Sequence, residues 1–461
     1  MTESKLSEDR LETRFPEKEP LMSKREAIVE ANRCLYCVDA PCIDSCPTSI
    51  DIPEFIRRIA TDNREGSAEV ILEANILGYS CAQVCPTEVL CESTCVYQEM
   101  DEVPIRIGEL QRYATDPVVD ANIQFFEAGE TTGFRVALIG AGPASLACAH
   151  RLRRFGHATT IFEAKKRPGG LNTDGVAPYK LYADQSLREI EYVRQIGGID
   201  IQYDTKVGTD VTLEELEQDF DAVFIGVGLG PDSRLDVDGA DLDGVWGAVD
   251  FIEKMKVDSD FEIPDGVERV CVVGGGNTAI DVVRELRGLD VDDVMLVYRR
   301  DEDSMSGYSH EWEGAKKEGG RGIWWSQPVE ILGDDTVTAL RCRKTRPADG
   351  TSRSLEIVEG SDFDIACDLV ILAIGQSKLG ELFADVEGLE LEWGRVVVDE
   401  ETGRTGNPLY FAGGDCANGG MEVVNAVEEG KIAARSIDAM LRPSADDASQ
   451  SSRETTTSPV A

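Results

Sequence analysis

Histidine is nearly missing from this chain: His150, His157 and His310 are the only three in 461 residues. Mechanisms that run on histidine as general base, and metal sites built on imidazole, have almost nothing to draw on. The first two fall on one predicted helix a turn or two apart and read as surface or packing residues. Basic residues are scarce as well. Against 87 Asp and Glu stand 46 Lys and Arg, a formal net charge of −41 spread along the chain rather than gathered in a tail. So acidic a balance argues against nucleic acid and against anionic membrane surfaces as partners. No apolar run approaches the length of a membrane span. No secretory signal precedes the first cysteines, so a cytoplasmic protein is expected. The acidity reads as solvation in a salt-rich, halophilic cytoplasm, because salt screens self-repulsion to within a few ångströms. The length supports two or three domains with proper cores.

Cysteine, by contrast, is crowded. Eight of the thirteen lie between Cys34 and Cys95. The first block runs Cys34-Leu-Tyr-Cys37, then Cys42, then Cys46-Pro47; the second runs Cys81, Cys85-Pro86, Cys91 and Cys95. Short steps of two or three intervening residues let a tight turn aim several thiolates at one iron cluster. The ferredoxin-type run closes on Cys-Pro with its last cysteine serving a second cluster. Two [4Fe-4S] clusters are therefore expected. By spacing alone each takes four cysteines, Cys81 included. Structural zinc also favours the two-residue step but leaves the interleaving unexplained, and a disulfide framework suits a small secreted scaffold rather than this chain. Cys148, Cys271, Cys342, Cys367 and Cys416 do not cluster in sequence and read as ordinary thiols.

From Arg135 an apolar strand, Val136 to Ile139, ends in Gly140-Ala-Gly142-Pro-Ala144-Ser145, and a helical pattern follows. A second strand, Thr159 to Phe162, ends at Glu163. In this strand–turn–helix–strand context the glycines mark a dinucleotide site. Gly140 makes the turn, Gly142 admits a pyrophosphate to the helix N-terminus, and Glu163 is placed to bind a ribose diol. Gly169-Gly170-Leu171 and Gly413-Gly414-Asp415 complete a flavin signature. Asp415 faces the ribityl or pyrophosphate region, and a helix starting near Met421 and Val423 points its positive end at the ring.

A second dinucleotide turn stands at Gly274-Gly275-Gly276-Asn277-Thr278. Its next strand, Val294 to Tyr298, ends in Arg299-Arg300, which suits the 2′-phosphate of NADP better than the 2′-hydroxyl of NAD. The run from Asp368 through Ala373 to Gly375 reads as the strand returning toward the flavin domain, with Ala373 and Gly375 beside the nicotinamide. Hydride passes directly from nicotinamide to flavin in such proteins, so no catalytic side chain is expected.

These signals define an α/β chain. A helical, ferredoxin-like iron–sulfur domain is expected over 1–132, with helices near Arg25–Arg33, Pro53–Ala60 and Ala68–Leu77. A Rossmann-like FAD domain over 133–248 and 366–442 is interrupted by an inserted Rossmann-like nicotinamide domain over 249–365, as in glutathione-reductase-like flavoenzymes. The polar end, 443–461, reads as disordered.

The two cysteine blocks, the turn Gly140-Ala-Gly142-Pro-Ala-Ser145 and Phe411-Ala-Gly-Gly-Asp415 resemble the N-terminal electron-input half of dihydropyrimidine dehydrogenase. The small subunit of glutamate synthase shares this plan. The resemblance implies Cys34, Cys37, Cys42 and Cys95 around one cluster, and Cys46, Cys85, Cys91 and Gln111 around the other. It implies Glu163, Leu171 and Lys180 at FAD, the last where the family has arginine, and Thr278, Arg299 and Arg300 at NADPH or NADH. Ser306 stands where the pyrimidine enzyme has a basic phosphate ligand. The implied partner is an FMN-containing barrel subunit that reduces uracil or thymine. The alternatives are a glutamate synthase large subunit or ferredoxin as acceptor, and a non-catalytic zinc- and nucleotide-binding regulator.

The charge generates the first prediction. Lowering ionic strength from 1 M to 0.1 M lengthens the screening distance from about 3 Å to about 10 Å. The melting temperature and the retained flavin should both fall over that range; a melting temperature independent of salt would refute the halophilic reading.

Overall fold

The computed structural model describes residues 6–348 and 354–443; the tail from residue 444, expected to be disordered, lies outside them. The chain forms two compact units. Of the described residues, one holds Glu19–Thr173, Gln185–Leu229 and 378–443, and the other holds 6–18, Asp174–Asp184 and the described part of Gly230–Ser377.

In the first unit a capping box at Ser23 and Glu26 starts the helix Lys24–Ala31. Asp51 caps Ile52–Ala60, whose Ile52, Phe55, Ile56 and Ile59 are buried at helical spacing. The third expected helix begins earlier than its apolar residues suggest, at Arg64, because Asn63 accepts from the Gly66 amide, and it runs to Ala74. The short helix Gly78–Val84 carries Cys81. Ile107–Asp120 buries Leu110, Gln111, Ala114 and Val118.

The same unit contains a five-stranded parallel sheet in the order Tyr410–Ala412, Ala222–Ile225, Arg135–Ile139, Ala158–Phe162, Ile199–Gln202. The helix Pro143–Phe155 follows the first glycine turn and ends at Gly156, φ +96°. A Cβ at Gly156 would lie 1.9 Å from the Glu130 carbonyl oxygen, so only glycine fits. His157 therefore lies beyond the helix rather than on it. Neither histidine is a surface residue. His157, fully buried, bonds Thr132 Oγ1 at 2.7 Å and Asp438 Oδ1 at 2.8 Å. His150 is also buried, edge-on to Phe126, and burial pushes its pKa down to about 3.

The second unit is built on another parallel sheet, in the order Val245–Gly247, Leu369–Leu372, Arg269–Val273, Asp293–Val297, Arg321–Ile323. An antiparallel sheet centres on the long strand Val337–Pro347. Two boundaries differ from those expected. Leu369–Leu372, read as a strand of the flavin domain, pairs with Val270–Val273, so the nicotinamide unit runs from Gly230 to Ser377 rather than over 249–365. The N-terminus is not part of the cluster region, because Leu11 and Phe15 are buried in the nicotinamide unit's core. Among the described residues no helix is long and apolar enough to cross a membrane.

Glu189, 1 % exposed, accepts from the amides of Tyr79 and Ser80 at 2.9 and 3.1 Å and from the Ser80 hydroxyl, capping the helix that carries Cys81. Burial pushes its pKa up to about 7, against 4.5 for an ordinary glutamate. The folded chain then binds one extra proton between those values, and this group's contribution to stability declines as pH rises through that window. Glu189→Gln should remove that slope, which denaturant unfolding of both proteins at pH 5 and pH 7.5 would register; an unchanged pH dependence would exclude Glu189 as its source.

Candidate redox-cofactor sites

Cys34, Cys37, Cys42 and Cys95 line one cavity, walled by Leu35, Pro41, Ile52, Ile56, Tyr97 and Ile107. Cys46, Cys81, Cys85, Cys91 and Gln111 line a second, with Ile50, Ile52, Asn75, Gly108 and Val424. The interleaving has a simple cause. Cys42 and Cys46 are four apart, as are Cys91 and Cys95, and each pair sends one thiol to each cavity. Ile52 lines both.

The donor sets fit iron–sulfur clusters. All thirteen cysteines are free. Burial, reinforced by the Cys34 and Cys95 thiols, pushes Cys42 up to about 12. Cys34 is raised by burial and by Cys37 and Cys95. Thiols so placed do not ionise on their own; a metal supplies the positive charge that deprotonates them. Among the described residues no three Cys, His, Asp or Glu side chains converge where one ion could sit. In both cavities the cysteines line one enclosed space.

In the second cavity Gln111 is buried and its Nε2 donates to the Gly78 carbonyl at 2.7 Å, so the amide oxygen, an acceptor, is the atom that could ligate iron. Cys81 is buried too, and its carbonyl accepts from the Cys85 amide at 3.0 Å. Both of the residues that compete for the eighth ligand position thus line the same cavity. Glu92, pushed up to about 7 by burial, accepts from the Gly108 amide at 3.0 Å beside them.

The flavin residues assemble around the first glycine turn. Gly140 has φ +89°, and a Cβ there would lie 2.7 Å from the Gly226 carbonyl oxygen. A Cβ at Gly142 would meet nothing within 4 Å, and Gly142 starts the helix Pro143–Phe155 with no side-chain cap. Open space at uncapped amides is what a pyrophosphate needs. Gly170, φ +54°, approaches so closely that its Cβ would lie 3.2 Å from Gly142 Cα, and the Gly169 amide donates to the Ala141 carbonyl. Leu171 opens the next short helix. Glu163 accepts from the amides of Ala141 at 2.7 Å and Lys165 at 2.8 Å, so this carboxylate also holds the turn in shape. Gly414, φ +76°, comes beside Ala144, where a Cβ would lie 3.2 Å from Ala144 Cβ. Asp415 is raised by burial and accepts from the Met421 amide at 3.4 Å. Val423 begins the helix that follows, which has no side-chain cap and runs to Leu441.

Lys180 is the remaining residue expected at FAD. It belongs to the nicotinamide unit, where its ammonium donates to Asp281 at 2.9 Å and pairs with Glu311 at 3.4 Å. The short segment Asp174–Asp184 leaves the flavin unit, a departure that no local sequence pattern announces.

The nicotinamide residues gather at the second glycine turn. A Cβ on Gly274 would lie 2.3 Å from the Ala373 carbonyl oxygen, and one on Gly275 would lie 2.5 Å from the Tyr298 ring. Gly276 starts the helix Asn277–Gly288, which carries Thr278 in its first turn and has no side-chain cap. Gly375, φ +98°, follows on the loop after Leu369–Leu372, with open space above it. Ser306 and Asn277 build the loop rather than face a ligand alone: the Ser306 hydroxyl donates to the Gly275 carbonyl at 3.3 Å, and Asn277 Oδ1 accepts from the Tyr308 amide at 2.8 Å. Arg299 is exposed at the strand end, and Arg300 donates to the Tyr298 hydroxyl at 3.3 Å.

Sequence reasoning missed two residues, Ile52 between the cavities and Val424 in the second. Both look like ordinary core positions on a helix, and no spacing rule separates them from their neighbours.

Comparison with known proteins bears on this geometry. Residues 11–123 match the family model for dihydropyrimidine dehydrogenase domain II, 4Fe-4S cluster, and residues 134–430 match that for pyridine nucleotide-disulphide oxidoreductase. The NAD-dependent dihydropyrimidine dehydrogenase subunit PreT of Escherichia coli K12 is 35 % identical over 420 residues, covering 91 % of this chain and 95 % of that protein. The glutamate synthase [NADPH] small chain of the same organism is 34 % identical over 434 residues, covering 90 % and 91 %. Among solved structures, Mycobacterium tuberculosis FprA in complex with NADPH superposes with a TM-score of 0.55 at 18 % identity, over 71 % of this chain and 87 % of that one, which speaks to the fold alone. These matches support FAD, 4Fe-4S and nicotinamide cofactors and remove the non-catalytic regulator from consideration. The chain belongs to the pyridine nucleotide-disulphide oxidoreductases, with a 4Fe-4S region of the dihydropyrimidine dehydrogenase type ahead of the dinucleotide folds, and is an NAD(P)H-dependent flavin iron–sulfur oxidoreductase.

Proposed function

We propose that the chain is the electron-input subunit of a reductase whose FMN-bearing partner converts uracil or thymine to the 5,6-dihydro compound. The observation that carries the electron-input role is the junction of the two cysteine cavities at Ile52, with Val424 extending the second cavity to the first turn of the helix Val423–Leu441. When bound, NAD(P)H supplies a hydride, the flavin takes it as an electron pair, and two [4Fe-4S] clusters carry single electrons onward.

Each part of the chain has a task in this scheme. Cys34, Cys37, Cys42 and Cys95 hold one cluster; Cys46, Cys85 and Cys91 with Gln111 hold the other. Uncapped helix starts at Gly142 and Gly276 receive pyrophosphates, and Gly170 and Gly414 let backbone come close to the flavin turn. Ile52, which lines both cavities, stands between the two clusters in this scheme. Val424 makes the second cavity the one on the flavin side, so the first is the exit.

The partner's place is supported by apolar side chains around that exit. Leu35 and Val38, at 50 % and 97 % exposed, lie in the loop that carries Cys34 and Cys37, and Met100 and Val103 are also exposed. Arg33 ties these segments together, donating to the Val103 carbonyl while its own carbonyl accepts from Tyr97 Oη at 2.8 Å. On a chain of net charge −41 an apolar rim of this kind suits a protein surface. The match of residues 11–123 to the dihydropyrimidine dehydrogenase domain II model supports the pyrimidine partner. The glutamate synthase small chain at 34 % identity supports a second reading, in which a glutamate synthase large subunit accepts the electrons. Thirteen free thiols suit a reducing cytoplasm.

Protein purified anaerobically in high salt should contain FAD, no FMN and about eight irons per chain with matching sulfide. Mixed with an FMN-barrel subunit it should drive NADPH-dependent reduction of uracil. Glutamine-dependent glutamate formation with a glutamate synthase large subunit, and none of the pyrimidine reaction, would reverse the choice of partner.

Coenzyme preference tests the arginine pair. One charged phosphate contact contributes about 1.5–3 kcal/mol. Replacing Arg299 and Arg300 with neutral residues should therefore raise KM for NADPH by roughly 10- to 100-fold and leave KM for NADH nearly unchanged. Equal loss with both coenzymes would mean that the pair is structural or binds the shared pyrophosphate.

A further inference from the structure

The second cysteine cavity holds one donor too many. Cys46, Cys81, Cys85, Cys91 and Gln111 all line it, whereas a cubane cluster has four iron corners, each taking one protein ligand. In the proposed arrangement Cys81 is the surplus donor, and it is no distant bystander. It is 2 % exposed and sits one helical turn before Cys85, whose amide donates to the Cys81 carbonyl at 3.0 Å. The helix that carries Cys81 also fixes its rival, because the Gly78 carbonyl, three residues before Cys81, accepts from Gln111 Nε2 at 2.7 Å. Gln111, on the helix Ile107–Asp120, is thus held against the first turn of the helix that carries Cys81, and both side chains line one cavity. Exchange between them requires side-chain rotation rather than rearrangement of the fold.

The two ligands differ in chemistry. An amide oxygen is hard and neutral, whereas a thiolate is soft and anionic and is what cluster iron prefers. A fourth thiolate, however, adds a negative charge to a buried site that already holds three. The neutral amide avoids that charge at rest and gives the weaker bond.

We propose that Cys81 is a reserve ligand of the second cluster, taking the iron corner whenever Gln111 releases it. This inference rests on the cluster assignment proposed above. In the exchange one iron–oxygen bond breaks and one iron–sulfur bond forms. The Cys81 proton passes to water, and no electron changes hands. The cluster becomes more negative by one charge and its potential falls, so electrons enter it less readily. The exchange keeps the fourth iron held whenever the amide has left that corner.

The test uses the full chain, reconstituted anaerobically, as wild type, Cys81→Ser, Gln111→Ala and the double variant. Iron and sulfide are counted, oxidised and reduced electron paramagnetic resonance spectra are recorded, and each cluster's potential is titrated. Cys81→Ser should keep about eight irons and the wild-type spectrum. Gln111→Ala should keep the same iron count with shifted reduced-state g values and a lower potential for one cluster. The double variant should lose iron and show an oxidised three-iron signal.

Two results overturn the inference: iron loss in Gln111→Ala equal to that in the double variant, or an altered wild-type spectrum in Cys81→Ser alone, which would make Cys81 the resting ligand. Flavin content and circular dichroism report folding, and Gln111→Leu, which keeps the side-chain volume, replaces Gln111→Ala if that protein loses flavin. A wild type that itself binds far fewer than about eight irons would instead remove the two-cluster reading on which the inference rests.

Discussion

Two steps of four residues, Cys42 to Cys46 and Cys91 to Cys95, hold the electron-carrying end of this protein together. Each step sends one thiol to either side of Ile52, so neither cavity can be built without half-building the other. The helices around them follow from that constraint. Ile52–Ala60 supplies the dividing wall, Gly78–Val84 brings Cys81 and leads into Cys85, and Ile107–Asp120 closes the second cavity with Gln111. The buried carboxylate of Glu189 anchors the start of Gly78–Val84 through two backbone amides, so the metal side of the unit depends on a residue that belongs to its flavin side.

The two dinucleotide turns apply one physical device twice. A strand ends in glycines that no other residue can replace, since a Cβ at Gly140 or Gly274 would collide with a carbonyl oxygen of a neighbouring loop. The helix beyond starts without a side-chain cap, leaving its first amides to an anion. What differs is the end of the second strand: Glu163 in one unit, where it ties two backbone amides, and Arg299-Arg300 in the other. The proposed ribose-diol and added-phosphate roles of the two sites rest on that difference in charge.

Thiols that look alike in sequence have different fates. Cys271, Cys342 and Cys367, from three separate stretches, meet in one apolar core cluster between the nicotinamide sheet and the antiparallel sheet. There they pack as small apolar groups. The thiols of the first block, each three to five positions from the next cysteine, stay partly accessible around the cavities. Local spacing, not cysteine content, is what marks a metal site.

The sequence by itself determined whatever short stretches of backbone encode: the glycine turns, the strand and helix beside each, the cysteine steps, and the helices that Ser23, Asp51 and Asn63 cap. These depend on φ/ψ preferences and on side chains reaching a few residues along the chain. Tertiary structure decided the rest. The run Leu369–Leu372 is apolar enough for either sheet, and only its pairing with Val270–Val273 puts it in the nicotinamide unit. Lys180 found Asp281 a hundred residues away, Leu11 and Phe15 found the nicotinamide core, and His157 went inside to meet Asp438. The second cavity received five donors where spacing and resemblance each named four. Every one of these outcomes is a contact between distant segments, and such contacts are fixed by which buried surfaces and buried polar groups find partners in the whole fold, a balance that no local pattern records.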